Sequence, residues 1–402
     1  MTTAPTHDPV QQRVVRTLAG TQVLGGVGLS AGVAVGALLA EDVSGSAQFA
    51  GLGGTFQVLG AALIAIPMSR VMAAHGRRPG LVLGYVLAAT GAIGLITAGV
   101  IRNFPLLLVA SVLFGGATAS NSQARYAGAD LAHPQHRARD LSIVVWATTI
   151  GSVVGPNLVG PSAPFARALG LPLLTGPFLF SLLGLLLAIA VLLWRLRPDP
   201  LIEARQRRVA DGDDSGATHG SVTRGLRVAA GIPNARLGIL TLALGHVVMV
   251  SVMVMTPLHM NHGGADLEVI GFVISIHILG MFAFSPLTGL AVDRFGGRAV
   301  AVLGSAILLL GLFLLGLGWS CTLVAGSTLL TAAVPADERP GAQGASDLLM
   351  GLMAAGGGAL AGVIVHQVSF EALALGALGV AISIGLAAAL STARPQIQDT
   401  RT

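Results

Sequence analysis

Long apolar runs separated by short polar breaks occupy nearly the whole chain. They fall at about 18–40, 47–69, 80–101, 105–124, 142–160 and 175–194, then at 237–258, 267–289, 299–334, 346–366 and 372–391. Most are close to the ~20 residues that carry a helix across a bilayer core. In lipid the backbone N–H and C=O groups must be paired within the segment, so these runs predict helices. The longest polar segment, 195–236, contains RLRPDPLIEARQRRVADGDDSGATHGS and is rich in charge, Gly and Ser. It reads as a cytoplasmic linker between an N-terminal six-helix half, 1–194, and a C-terminal helical half, 237–402.

The run at 299–334 does not fit one span. Thirty-eight residues separate Arg298 from Asp337. As one helix they would reach about 57 Å, whereas two crossings need roughly 60 Å and a turn. Arg298 and Arg339 both read as lying on the same side, which favours two unusually short helices, spans 9 and 10, turning near Gly311–Gly318. That gives twelve spans. A single crossing would give eleven and move the C-terminus to the other side.

Composition narrows the class. Hydrophobic residues make up 53% of the 402 and charged residues 10%, against about a quarter charged in a soluble domain. Mean hydropathy is +0.79. All 23 basic residues are arginines. Assigned to alternate loops, 21 fall on one side and two, Arg102 and Arg167, on the other. That asymmetry predicts a cytoplasmic location for both termini and the linker. It also accounts for the basic pI without nucleic acid. The single cysteine, Cys321, excludes an intrachain disulfide and a CxxC metal site. No cleavable leader is read at the N-terminus, and the first span serves as the insertion signal.

The two halves share a signature. Gly289-Leu-Ala-Val-Asp293-Arg294-Phe-Gly296-Gly-Arg298 follows the second run of the C-terminal half, and Ser69-Arg-Val-Met-Ala73-Ala-His-Gly76-Arg77-Arg78 stands at the same place in the first. This GxxxDRxGRR pattern resembles the major facilitator superfamily. Gly151-Ser-Val-Val-Gly155-Pro156 on span five resembles a small-residue and proline motif of the same superfamily, often found in exporters. The resemblance implies an all-α integral membrane protein with two six-helix halves that rock about a central site. It also implies a conformational latch built from Asp293, Arg294, Arg298, Arg77 and Arg78. Ala73 departs from the pattern, because the first copy lacks its acid.

The cargo has to be read from side chains inside the spans. Met249 and Met253 on span seven, and His277 and Met281 on span eight, are each spaced i, i+4 and so share a helix face. If the two spans are neighbours, three thioethers and an imidazole converge, and soft donors of that kind select Cu(I). His246, His259, Met260 and His262 extend the series as entry ligands. Asp347 is a candidate proton site or a helix cap, and Met350 and Met353 are a candidate exit step or packing. The bland reading is methionine filling gaps between apolar helices. The MxxxM and HxxxM pairs resemble the CcoA-type bacterial copper importers of the superfamily. That resemblance implies a monomeric protein of the bacterial cytoplasmic (inner) membrane, with copper as transported substrate and no permanent cofactor. The alternatives are a proton-coupled exporter of drugs or organic solutes, a riboflavin-like vitamin importer, or a non-transporting copper sensor. No HExxH, paired intramembrane carboxylates or nucleophile–base set points to an enzyme.

Overall fold

The computed structural model describes residues 8–46, 49, 51–212, 220–262, 264, 267–308 and 312–391. The N-terminal half contains α1 (Pro9–Ser44), α2 (Leu52–His75), α3 (Arg77–Ile101), α4 (Phe104–Ala127), α5 (Arg137–Asn157), α6 (Val159–Ala168) and α7 (Gly176–Arg195). Between the halves lie α8 (Pro200–Ala210) and α9 (Val222–Gly231). The C-terminal half contains α10 (Pro233–His262), α11 (Leu267–Phe282), α12 (Ser285–Phe295), α13 (Gly297–Ile307), α14 (Leu312–Ala333), α15 (Arg339–Gln367) and α16 (Phe370–Leu390). Ten of these helices or helix pairs are long and apolar enough to cross a membrane, and α5–α6, bent by 54°, makes an eleventh.

The bend follows from sequence. Pro156 removes a backbone donor near the end of α5 and disfavours a straight continuation. Just before it, Gly151 and Gly26 let α5 and α1 touch backbone to backbone. A Cβ on Gly151 would stand 2.7 Å from the Gly26 Cα. Ser30 Oγ donates to the Gly151 carbonyl at 2.6 Å across this contact. Such small-residue seams replace the hydrophobic driving force that lipid withholds from helix pairs.

A further short apolar helix, α13, precedes α14, which differs from the expectation of two short helices. α14 has 22 residues and reaches across a bilayer core; only α13, with 11, is short. At 1.5 Å per residue α13 rises about 16 Å, half of a core. Gly297 packs on Leu329, and Gly304 packs on Cys321. The constant sum of paired numbers shows an antiparallel hairpin. Residues 312–318 lie within α14, so most of the expected turn region is helical, and the remainder at 309–311 lies outside the described residues.

The segment read as a loop-like linker carries two helices. Asp199 caps α8 through Leu201 N–H at 3.0 Å, and Ser221 Oγ accepts from Arg224 N–H at 3.4 Å to cap α9. α9 packs on the start of α15, where Gly225 meets Gly341 and Ala342. The halves touch along two seams at the arginine-rich end. Gly344 of α15 packs on Ser69 of α2, and Gly351 on Ala62. Ser285 Oγ of α12 donates to the Ser142 carbonyl of α5 at 3.1 Å.

Candidate functional site

Between the halves lies a cavity of about 290 Å³, lined from both. Most of its wall is apolar. Its polar groups include Gln22 from α1, Asn121 and Arg125 from α4, Thr148 from α5, His246 from α10 and Asp347 from α15. Its aromatic corner is Phe282 of α11 against Trp319 of α14, edge to face with ring centroids 5.5 Å apart.

The floor is an ion pair that joins the halves. Arg125 Nη2 donates to Asp347 Oδ1 at 2.7 Å, and both side chains are 5% exposed. Gln123 Nε2 donates to Asp347 Oδ2 at 2.7 Å, and Arg125 Nε to Ser327 Oγ at 3.2 Å. The Tyr126 ring lies 4.5 Å from the guanidinium. Two charges removed from water are tolerable only with this degree of pairing. A buried carboxylate so held within a span makes Asp347 a candidate functional residue. Asp347 lies eight residues inside α15, so it is not a helix cap.

A second buried layer lies toward the arginine-rich end. Arg77 is fully buried and grips Asp130 with two bonds, Nε to Oδ2 at 2.7 Å and Nη2 to Oδ1 at 3.0 Å. Its Nη2 also donates to Gln343 Oε1 of α15 at 2.6 Å, and its Nη1 to Gln123 Oε1 at 3.4 Å. Gln123 thus joins the two layers.

The two halves close their latches differently. Asp293, at the end of α12, accepts from the backbone N–H groups of Ala138 and Arg139, both at 2.9 Å. Its charge therefore meets the positive end of the α5 dipole in the other half. At the corresponding place in the first half Ala73 can make no such contact. There the polypeptide at Gly220 lies against Ala73 and Arg70, Ser69 Oγ donates to the Gly220 carbonyl at 3.1 Å, and Arg224 pairs with Glu338 at 2.6 Å. The linker helix thus covers the seam that the missing acid leaves. Of the five expected latch residues, Asp293 and Arg77 bridge the halves. Arg298 stays within its own half, bonding Asn234 and the Ser391 carbonyl, and Arg294 lies by Phe295. Arg78 contributes its backbone N–H to Asp199 at 2.7 Å.

The expected metal quartet is not gathered at the cavity. Spans seven and eight are not direct neighbours along their length, because α14 lies between them. Gly245 of α10 packs on Thr322, and the His277 carbonyl and Met281 amide of α11 pack on Gly316. Met281 lines the cavity; Met249, Met253 and His277 do not. Met249 and Met253 pack in the C-terminal apolar core, and His277 is buried. Among the described residues no group of three His, Cys, Asp or Glu side chains is placed to hold a metal ion.

Of the described side chains of the entry series, His246 reaches the cavity and His259 and Met260 do not. Trp319 Nε1 donates to His246 Nδ1 at 2.9 Å. Indole N–H is donor only, so Nδ1 must supply the lone pair and the ring proton sits on Nε2. In this arrangement His246 presents an N–H donor at Nε2. His259 stacks on Phe370 with centroids 4.1 Å apart, and it shares a separate groove with Met260. The His262 side chain lies outside the described residues. Met350 lines the cavity beside Asp347, and Met353 does not.

Sequence reading gave no role at the site to Arg125, Gln123, Asp130, Gln343 and Trp319. The available signal was a charged or amide side chain near an apolar run, where it needs a buried partner. Which partner it finds depends on how the halves meet.

Two membrane-spanning helical halves around a buried, charge-floored cavity define a multi-pass membrane transporter. The Major Facilitator Superfamily model matches residues 18–313 and 237–401, and the chain belongs to that family. It is 40% identical over 382 residues to the uncharacterized MFS-type transporter YdeG of Bacillus subtilis, covering 90% of this chain and 88% of that one. It is 29% identical over 387 residues to the riboflavin transporter RfnT of Brucella anthropi, covering 90% of each. The fold superposes on the human organic anion transporter MFSD10 with a TM-score of 0.73 at 18% identity, covering 95% of this chain and 100% of that one.

Proposed function

We propose that this secondary transporter carries a flat, partly apolar organic solute by alternating access, and that protonation of Asp347 drives the exchange. The observation that carries this reading is the cavity itself, whose floor is the Arg125–Asp347 pair. Phe282 and Trp319 offer ring faces and edges to a planar body. His246 Nε2 offers one hydrogen-bond donor, and the apolar wall accepts the rest of the solute. The riboflavin transporter of Brucella anthropi, similar along nearly the whole chain, makes riboflavin the first solute to test.

The coupling follows from charge. While Asp347 is ionised, its bond to Arg125 ties α15 to α4 and holds the two halves together at the cavity floor. A proton on Asp347 cancels that charge and releases Arg125, and the arginine-rich end can then part. The arginine asymmetry supports a cytoplasmic position for that end. The cavity lies on the other side of the ion pair, so this conformer corresponds to the outward-facing state of the cycle. Copper, implied by the methionine motifs, has less support, with only Met281 and Met350 as thioethers on the cavity.

Uptake into proteoliposomes under an imposed pH gradient tests the proposal, with riboflavin, other planar heteroaromatic solutes and Cu(I) as cargoes. An organic solute is expected to accumulate, and Cu(I) is not. Asp347→Asn should abolish gradient-driven accumulation yet keep solute counterflow. Saturable Cu(I) uptake lost on Met281→Ala, with no organic solute moved, would overturn the reading.

A further inference from the structure

Away from the central cavity, a groove of about 500 Å³ lies between the start of α1 and the end of α7. Its lining comes from two helix faces. Arg13, Arg16 and Gly20 follow at i, i+3 and i+7 on α1. Val191, Trp194 and Arg195 follow at i, i+3 and i+4 on α7. Each set therefore shares one face of its helix. The helices run antiparallel, with Gly28 on Ser181 and Leu185 and Gly184 on Leu24. That packing sets the beginning of one beside the end of the other.

Three guanidinium-bearing side chains line this groove, and no carboxylate does. All three arginines are exposed. None of them has a carboxylate partner within ion-pair distance among the described residues. The acid next to α1, Asp8, is already engaged by Arg207. Three arginines and no carboxylate along one groove make a local excess of positive charge that favours an anion.

Beyond the arginines the groove presents the side chains of Gln12 and Thr17 beside an apolar stretch of Pro9, Gly20, Val191 and Trp194. No atom stands within 4 Å of a Cβ built on Gly20, so the space above it is open. Trp194 is 76% exposed, with the Arg195 guanidinium 5.7 Å from its ring. An exposed Trp beside arginines at the ends of two spans marks the headgroup level of a bilayer. A free small anion would leave this apolar wall unused. A lipid uses both parts.

We propose that this groove binds an anionic phospholipid, its phosphate among Arg13, Arg16 and Arg195 and its acyl chain along Gly20, Val191 and Trp194. Arginine suits phosphate because its planar fork matches two oxygens at once. Basic pockets between spans hold anionic headgroups in this way. The lipid would clip α1 to α7 and brace the half that carries Arg125.

The test is native mass spectrometry of the full chain in detergent, titrated with phosphatidylglycerol, with phosphatidylcholine of the same tails, and with glycerol phosphate. Wild type should retain phosphatidylglycerol in preference to phosphatidylcholine, and glycerol phosphate should not displace it at equal concentration. The triple variant R13Q/R16Q/R195Q should bind phosphatidylglycerol about a hundred-fold more weakly, at roughly 1 kcal/mol per arginine. Gly20→Trp should reduce retention with the arginines intact, by filling the acyl path. Because it enters open space, it decides the question if the triple variant does not unfold cooperatively at the wild-type temperature. Equal retention of the two lipids, undiminished binding in the variants, or displacement by glycerol phosphate would each overturn the proposal.

Discussion

A single side chain has most influence here where it is buried, charged and shared between the halves. Arg77 satisfies Asp130 with two bonds and Gln343 with a third. Arg77→Ala would strip the buried Asp130 carboxylate of its paired guanidinium, at a cost of up to about 3–5 kcal/mol. A large fall in thermal unfolding temperature in detergent is expected, with partial recovery in the double variant carrying Asp130→Ala. Trp319 is a second such position. Trp319→Phe keeps the ring beside Phe282 but removes the donor that fixes the His246 tautomer. Solute affinity should fall several-fold at unchanged protein abundance, read by equilibrium binding to purified protein. Local spacing made Arg77 legible as a latch residue, because it sits in a repeated signature. Its partner Gln343 lies 266 residues away, and no local pattern announces such a contact. The i, i+4 methionine and histidine pairs show the converse. Their periodicity was real, yet a helix remote in sequence, α14, took the place between them.

Helix identity follows closely from the apolar runs, because lipid leaves the backbone no alternative. Helix contacts depend on finer features. Gly151 and Pro156 marked α5 as a helix that approaches a neighbour and bends, and it does both, against α1. Gly151→Leu should force α5 off Gly26, since backbone atoms cannot move aside as a side chain can. Loss of folded protein is expected, measured as monodisperse material on size-exclusion chromatography, while Gly36→Leu, a glycine with open space around it, should be tolerated. The run at 299–334 was too short for two full crossings, and the structure resolves the shortage unequally. α14 keeps its full length because it is buried between α10, α11 and α13. α13, on the periphery, is the one that shortens.

At the scale of the whole molecule, the observed conformer is held closed at its arginine-rich end by several fasteners, two of them linked through Gln123. These are the Arg125–Asp347 floor, the Arg77–Gln343 bond, the Asp293 charge on the α5 dipole and the Arg224–Glu338 pair on the linker. Asp293→Asn should remove one charge–dipole contact of about 1 kcal/mol, which shifts the balance of conformers roughly five-fold toward the one open at that end. Distances between spin labels on α5 and α12 would report the shift; an unaltered distribution would show that the contact carries no conformational weight. Hydropathy and the repeated motif alone establish that the chain crosses a membrane many times and in two related halves. Charge along the chain also predicted which end carries the arginines. These properties need only hydropathy, charge and a repeated motif, all local along the chain. Only the tertiary structure decided which donors face the cavity, because that choice depends on how helices from opposite halves rotate and interleave. A helix pattern fixes the face on which a side chain lies, but not the neighbour that face will meet.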